Sequence, residues 1–260
     1  MSMRVKKFLK NMPRMKDPVL IEGLPGVGNV GKVAVDFMID RLKARKIMEI
    51  SSHSFPHSVF VNEDNLVELP KIEVFYKRMG KGKKDIVLLS GDIQPLDEAS
   101  SYEFSHSILD LIKEFRGKEL ITLGGIGLSD IPKNPRVYCT GTSKDAVSRY
   151  RKGERNLSRK LFGVVGPIVG VTGLLVGLAR ENNIDGVCLL AETYGHPMYL
   201  GVDGSRELLG ILNRKLGLEI DVDAVTSEIK EIEEEMTKKT KDMTEIMKPK
   251  KEGEPTNYIG

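Results

Sequence analysis

Cysteine, histidine and glutamine are scarce in this 260-residue chain, charge of one sign is barely in excess, and the long apolar runs are broken by glycine. The two cysteines, Cys139 and Cys188, lie inside apolar strand-like runs, so they read as small buried core residues and argue against a disulfide framework or a metal site. Their scarcity fits a reducing, cytoplasmic location. Among the four histidines, His53, His57, His106 and His196, only His53 and His57 stand four apart, and Pro56 breaks any helix between them. No metalloprotease pattern results, and no metal site is expected. A net charge of +3 from 40 basic and 37 acidic residues gives no global field of the kind that marks a nucleic-acid or membrane-surface binder. The longest apolar stretch, 161–179, carries several glycines, Pro167 and Thr172, and Arg180 and Glu181 follow it. It falls near the lower length limit of a membrane span, so a buried strand-turn-helix is expected instead. Residues 1–10 are basic with no apolar core after them, so no signal peptide is expected. Gln94 is the sole glutamine while lysine, glutamate and arginine abound, a balance that suits a heat-adapted protein.

What the chain does hold is glycine at telling positions. Gly26, Gly28 and Gly31 match G-x-G-x-x-G, and 26–32 matches the G-x-x-x-x-G-K of a P-loop up to its last position, which is Val33. A valine methyl cannot hold magnesium as a Ser or Thr hydroxyl does, so ATP hydrolysis by this loop is not expected. A dinucleotide loop should follow directly from its strand, but the apolar run 19–21 is separated from the glycines by Glu22, Gly23, Leu24 and Pro25. The candidate ribose-binding acid, Glu49, lies inside an apolar run and not at its end. Two readings stay open: a strand-to-helix corner shaped by glycines, or an anion site formed by Gly26, Gly28, Gly31 and Lys32.

Periodicity organises the rest. Val30, Val33, Phe37, Met38 and Leu42 recur at helical spacing, predicting a helix over 29–46 with Asn29 near its cap. Strand-like runs follow at 47–51, 59–61 and 71–76, the last two expected to pair antiparallel, then a buried strand at 85–89 after the basic turn 77–84. A helix over 97–115 stopped by Gly117 leads to a strand at 119–123 that opens into a glycine loop, Gly124 to Gly127. A strand at 136–140, a short polar helix, a helix from Pro167 to Ala179, a buried strand at 186–191 and a helix over 205–216 complete the pattern. Alternation of this kind predicts an α/β fold with a mixed, largely parallel central sheet flanked by helices. Its ligand crevice should lie at the carboxyl ends of the strands. Asp92 and Glu192, each at a strand end, are the candidate general bases, set against the commoner role of carboxylates as caps. No G-x-S-x-G elbow is present.

Three units are expected: a core domain over 1–218, a helical arm over 219–248 and a flexible tail over 249–260. In the arm, Val225, Ile229, Ile232, Met236, Met243 and Ile246 form a stripe that suits either a coiled coil or a helix folded back on its own domain. The tail has almost nothing to bury until its last residues, Tyr258, Ile259 and Gly260, an apolar tip suited to a partner's pocket.

Leu20-Ile21-Glu22-Gly23-Leu24-Pro25-Gly26-Val27-Gly28-Asn29-Val30-Gly31, together with Ser90-Gly91-Asp92-Ile93-Gln94-Pro95 and the glycine-rich run 163–173, resembles the archaeal members of the proteasome assembly chaperone family. The resemblance covers roughly 19–216. It implies a non-enzymatic protein of phosphorylase-like architecture, without a cofactor, that forms homo-oligomers and binds α-subunits of the 20S proteasome, with room for a second small protein as partner. It also implies partner binding through a C-terminal hydrophobic-Tyr-any-residue motif. Here Tyr258 stands third from the end and follows Asn257, a departure from that pattern. The competing reading is a small-molecule enzyme or binding module that holds a nucleoside, phosphate or nucleotide on the 26–32 loop.

Overall fold

The computed structural model describes residues 3–222 except 81, 159, 160, 162, 164, 165 and 198. The helical arm beyond residue 222, the tail 249–260 and its Tyr258, Ile259 and Gly260 lie outside the described residues.

Four parallel strands form the centre. β2 (Val19–Gly23) lies between β7 (Ile86–Gly91) and β8 (Glu119–Leu128), and β8 pairs on its far side with β11 (Asp185–Tyr194). These strands are nearly continuous apolar runs because helices cover both faces, which leaves no alternation to polar residues. Antiparallel strands extend each side. β6 (Ile72–Lys77), β3 (Arg45–Ser51) and β1 (Arg4–Lys7) follow beyond β7, and β9 (Val137–Gly141) pairs antiparallel with β11, with β10 (Leu157–Ser158) parallel to β9 at the far edge. The expected mixed sheet is therefore present, its parallel pairing concentrated at the centre. β4 (Phe60–Val61) and β5 (Val67–Glu68) form a separate two-stranded hairpin.

The strand pleat sends alternate residues into two cores. Val19 and Ile21 point into one, built with α1 (Val30–Leu42), α3 (Lys144–Arg151) and α5 (Val202–Leu216). Leu20 points into the other, built with α2 (Glu98–Glu114) and α4 (Val171–Glu181). Each fully buried aliphatic side chain in these layers contributes about 1.5–3 kcal/mol. Two helices start on side-chain caps: Asp97 Oδ1 accepts from Ser100 N at 2.8 Å, and Ser143 Oγ from Ala146 N at 3.0 Å.

Several boundaries differ from those expected. β2 runs on through Glu22 and Gly23, since both pair with β7. α1 stops at Leu42 because Lys43 turns left-handed at φ 49°, and Arg45 already pairs with Tyr76. The run at 59–61 pairs with β5 across a tight turn and not with 71–76, which is held between β3 and β7. Gly117 is not the left-handed residue after α2: Arg116 takes φ 61°, and Gly117 N donates to Ile112 O at 2.8 Å. The glycines 124–127 are strand and not loop, because β11 extends beside them from Leu190 to Thr193. α4 begins at Val171 and not at Pro167, since Gly170 at φ 84° breaks the helical path, and the described residues within 161–170 form no strand. α5 takes in Asp203 and Gly204 as its first turn. β1 had no sequence signal, being short, basic and exposed.

Candidate functional site

The carboxyl ends of the parallel strands open into a crevice of about 800 Å³. Its walls are Leu24 and Val27 after β2, Pro95 and Leu96 after β7, Gly124 and Ile126 on β8, and Ile168 and Val169 before α4. Because the chain leaves β2 toward β3 and leaves β8 toward β9, this is a point where neighbouring loops diverge, the usual ligand crevice of open α/β sheets.

The glycine corner is shaped by close packing. A Cβ on Gly31 would lie 2.3 Å from Leu123 O, so the first turn of α1 rests directly on the backbone of β8. Gly28 has φ 60° and would press a Cβ within 2.6 Å of Thr193 Oγ1, so both conformation and space require glycine there. Gly26 is extended and has nothing near its Cβ position. Lys32 does not line the crevice; its Nζ meets Asp36 Oδ2 at 2.8 Å, and Asp36 Oδ1 accepts from Ser90 Oγ at 2.5 Å. Gly26 and Gly31 thus border the crevice, while Lys32 is engaged one helical turn along α1.

Gln94 ties the crevice together. Its Nε2 donates to Pro25 O at 2.7 Å and its Oε1 accepts from Val171 N at 3.1 Å, capping α4 from another loop. Beside it, Glu22 is fully buried: Oε1 accepts from Leu24 N at 3.0 Å and Thr172 Oγ1 at 3.3 Å. Oε2 has no hydrogen-bond partner among the described residues. Burial pushes this carboxyl up to about 8, against the opposing hydrogen bonds, so Glu22 is protonated at neutral pH. Sequence reasoning took Glu22 for part of a loop. The available signal was a lone acid closing an apolar strand run, but its partner Thr172 lies 150 residues away.

The other candidates are scattered. Glu192, 4% exposed, accepts from Arg136 Nε at 2.9 Å, Arg136 N at 3.0 Å and Tyr138 Oη at 2.9 Å. Burial alone would raise its pKa, but these bonds outweigh it and hold the carboxylate ionised. Asp92 Oδ2 accepts from Lys71 N at 3.3 Å. Neither carboxylate caps a helix; each closes the end of a strand pair. Glu49 sits against Lys46 Nζ at 3.4 Å. His53 and His57 line one groove with Phe55 and Pro56, whereas His196 stacks on Tyr194 at 5.7 Å. No group of three metal-binding side chains occurs among the described residues. Both cysteines are free and buried, as expected, with their thiols pushed up by burial to about 11 at Cys139 and about 12 at Cys188.

This architecture, a mixed sheet covered on both faces with a glycine corner over its parallel centre, defines an α/β layer protein. Residues 20–240 match the PAC2 family, and the chain belongs to that family. It is 33% identical to Pyrococcus furiosus PbaB, described as an archaeal proteasome activator, with a TM-score of 0.81 over 91% of this chain and 98% of that one. Pyrococcus furiosus PbaA, described as an archaeal homolog of proteasome-assembly chaperone, shares the fold at 24% identity and a TM-score of 0.72, over 93% and 94% of the two chains. An uncharacterized protein of Methanocaldococcus jannaschii is 27% identical over 98% of this chain and 97% of its own length. The resemblance to archaeal proteasome assembly chaperones is therefore borne out. Among the described residues no helix is long and apolar enough to cross a membrane.

Proposed function

We propose that the protein is a non-enzymatic, chaperone-like partner of the 20S proteasome, acting in the cytoplasm as a homo-oligomer and binding the α-ring or its subunits. The observation that carries this reading is the 33% identity to PbaB, an archaeal proteasome activator, along nearly the whole of both chains. Asp92 and Glu192, on opposite sides of the sheet, each close a strand end, and the exposed histidines lie apart from them, which agrees with it. Contact with the α-ring is assigned to the tail, where Tyr258, Ile259 and Gly260 supply an apolar tip after a polar stretch. The tail's departure from the hydrophobic-Tyr-any-residue order makes this the sharpest point to test. Deleting the last three residues should abolish or strongly reduce retention of the chain on immobilised 20S proteasome, with an unchanged denaturation midpoint. Retention equal to that of the full chain would remove the tail from the account.

A second reading keeps the glycine corner as a site: an anion or small ligand held at Gly26, Gly28, Gly31 and Lys32, of which Gly26 and Gly31 border the crevice. Binding there would require Lys32 to exchange Asp36 for the ligand. It predicts a saturable thermal shift with phosphate or a nucleotide that Lys32→Ala removes, and no shift at millimolar concentrations would count against it.

A further inference from the structure

A second groove, of about 780 Å³, follows α3, with Gly141 at the end of β9, Leu157 of β10 and Arg180 of α4 on its other walls. Lys144, Arg151 and Lys152 line it along α3, so with Arg180 four cations border one channel. Lys144, Lys152 and Arg180 are exposed and meet no carboxylate at ion-pair distance among the described residues. The only carboxylate on the wall is Glu154, and its charge is already neutralised: Arg214 Nη2 meets Glu154 Oε2 at 2.6 Å, and Lys215 Nζ stands 3.9 Å from Oε1. Asp145 and Glu181, next in sequence to Lys144 and Arg180, do not line it. Val147 and Leu157 give the channel an apolar floor. The chain leaves α5 beside this groove. Lys215 Nζ donates to Arg149 O on α3 at 3.2 Å, and Ile220 is pinned to the last turn of α5, where Asn213 Oδ1 accepts from Ile220 N and Asn213 Nδ2 donates to Ile220 O, both at 2.9 Å.

We infer that this groove holds the acidic stretch 223–235 of the same chain, the first half of the arm that lies outside the described residues. Asp223, Glu228, Glu231, Glu233, Glu234 and Glu235 stand there against Lys230 alone, whereas 238–251 carries six lysines against two acids. Charge complementarity therefore admits the first half of the arm and repels the second. The patterns match as well as the signs. Glu228, Glu231 and Glu235 recur at helical spacing with Ile229 and Ile232 among them, as Lys144, Ser148 and Arg151 do on α3 beside Val147 and Leu157. An exposed ion pair is weak alone, but the tether supplies what the pairs lack. Glu228 follows Ile220 by eight residues, a reach of at most about 28 Å, so the acidic stretch stays beside the groove. Its effective concentration there is on the order of millimolar, an advantage that no free anion or outside partner shares. The inference goes beyond the proteasome reading and does not rest on it. Docking of 223–235 leaves the later residues, Tyr258 and Ile259 among them, to reach a partner.

Carbodiimide cross-linking of the full chain tests this directly. Peptide mass spectrometry on the band that runs as one chain in a denaturing gel should find Lys144 or Lys152 joined to glutamates of 228–235. Hydrogen exchange is the independent readout: amides of 224–235 should exchange about tenfold faster in Lys144→Glu with Lys152→Glu than in wild type. The same charge change at exposed cations elsewhere, Lys10→Glu with Lys133→Glu, should leave those amides as they were. Wild type should loosen likewise in about 1 M NaCl, where the screening length falls to about 3 Å. Adding Glu231→Lys, Glu234→Lys and Glu235→Lys to the reversed groove should restore slow exchange, and the denaturation midpoint shows that each variant is folded. Cross-links found only in a two-chain band would seat the stretch on a second copy and overturn the inference. Exchange at 224–235 that ignores the groove charges would overturn it too. So would loss of proteasome binding in the reversed groove with that exchange unchanged, which would give the groove to the proteasome. Cross-linking and exchange are read on the chain alone, so their failure leaves the proteasome reading standing.

Discussion

The side chain of Gln94 donates to the carbonyl oxygen of Pro25 at 2.7 Å while its own oxygen accepts from Val171 N, so the only glutamine in the chain clamps the corner after β2 to the start of α4. Gly170 makes room for it, because a Cβ there would stand 2.5 Å from Gln94 Oε1. The clamp holds together two stretches that the sequence separates widely, and it sets the shape of the crevice.

Gln94→Ala is expected to destabilise the fold by about 2 kcal/mol, roughly 1 kcal/mol for each hydrogen bond lost. Amide exchange should quicken locally, at residues 25–29 and 171–174, before it does so in β2 or β8. Exchange mass spectrometry on the variant reads this directly; uniform protection would show that the corner is held by its glycines alone.

Glu22 gives a pH dependence with a defined sign. Its folded pKa of about 8 lies above the ordinary value of 4.5, so between those values the unfolded chain gives up a proton that the folded chain keeps. The stability this residue supplies is full below about pH 4.5 and is lost as pH rises toward 8, at no more than about 1.4 kcal/mol per pH unit. Glu22→Gln keeps the shape without the titration. Chemical denaturation at pH 5 and pH 8.5 should find the variant similar to wild type at the lower value and more stable than wild type at the higher.

Much of the layer pattern was legible in the sequence and the polar joins were not. β7 and β11 could be read because a strand covered on both faces must be apolar throughout. α2 announced itself by its apolar spacing, while its Asp97 cap emerged only with the structure. By contrast, glycines 124–127 looked like a loop, since nothing local shows that β11 will pair with them. The start of α4 was hidden because its cap comes from Gln94, 77 residues earlier. Lys32 looked free for an anion until the helix placed Asp36 four residues on, at 2.8 Å. Glu22 and Thr172 could only be joined by the fold.

At the far end of β11, Glu192 is buried and takes hydrogen bonds from Arg136 and Tyr138. Removing its carboxylate leaves a buried tyrosine hydroxyl and a backbone N–H unpaired. Glu192→Ala should therefore cost about 2–4 kcal/mol, measured by chemical denaturation. A loss below about 1 kcal/mol would mean that water replaces these bonds.

Cys139 and Cys188 should be inert in the folded chain, both being buried with thiols held far above neutral pH. A chromogenic disulfide reagent should titrate no thiol under native conditions and two after denaturation. Reaction of either in the native state would contradict the packing of β9 against β11.

The central claim is association with the proteasome, and its most direct test is the mass of the complex. When the full chain is mixed with purified archaeal 20S proteasome and separated by size with in-line mass detection, the chain should co-elute with the particle and raise its mass by whole multiples of 28.9 kDa. Elution of the chain entirely apart from a particle of unchanged mass, at micromolar concentrations of both, would contradict the account.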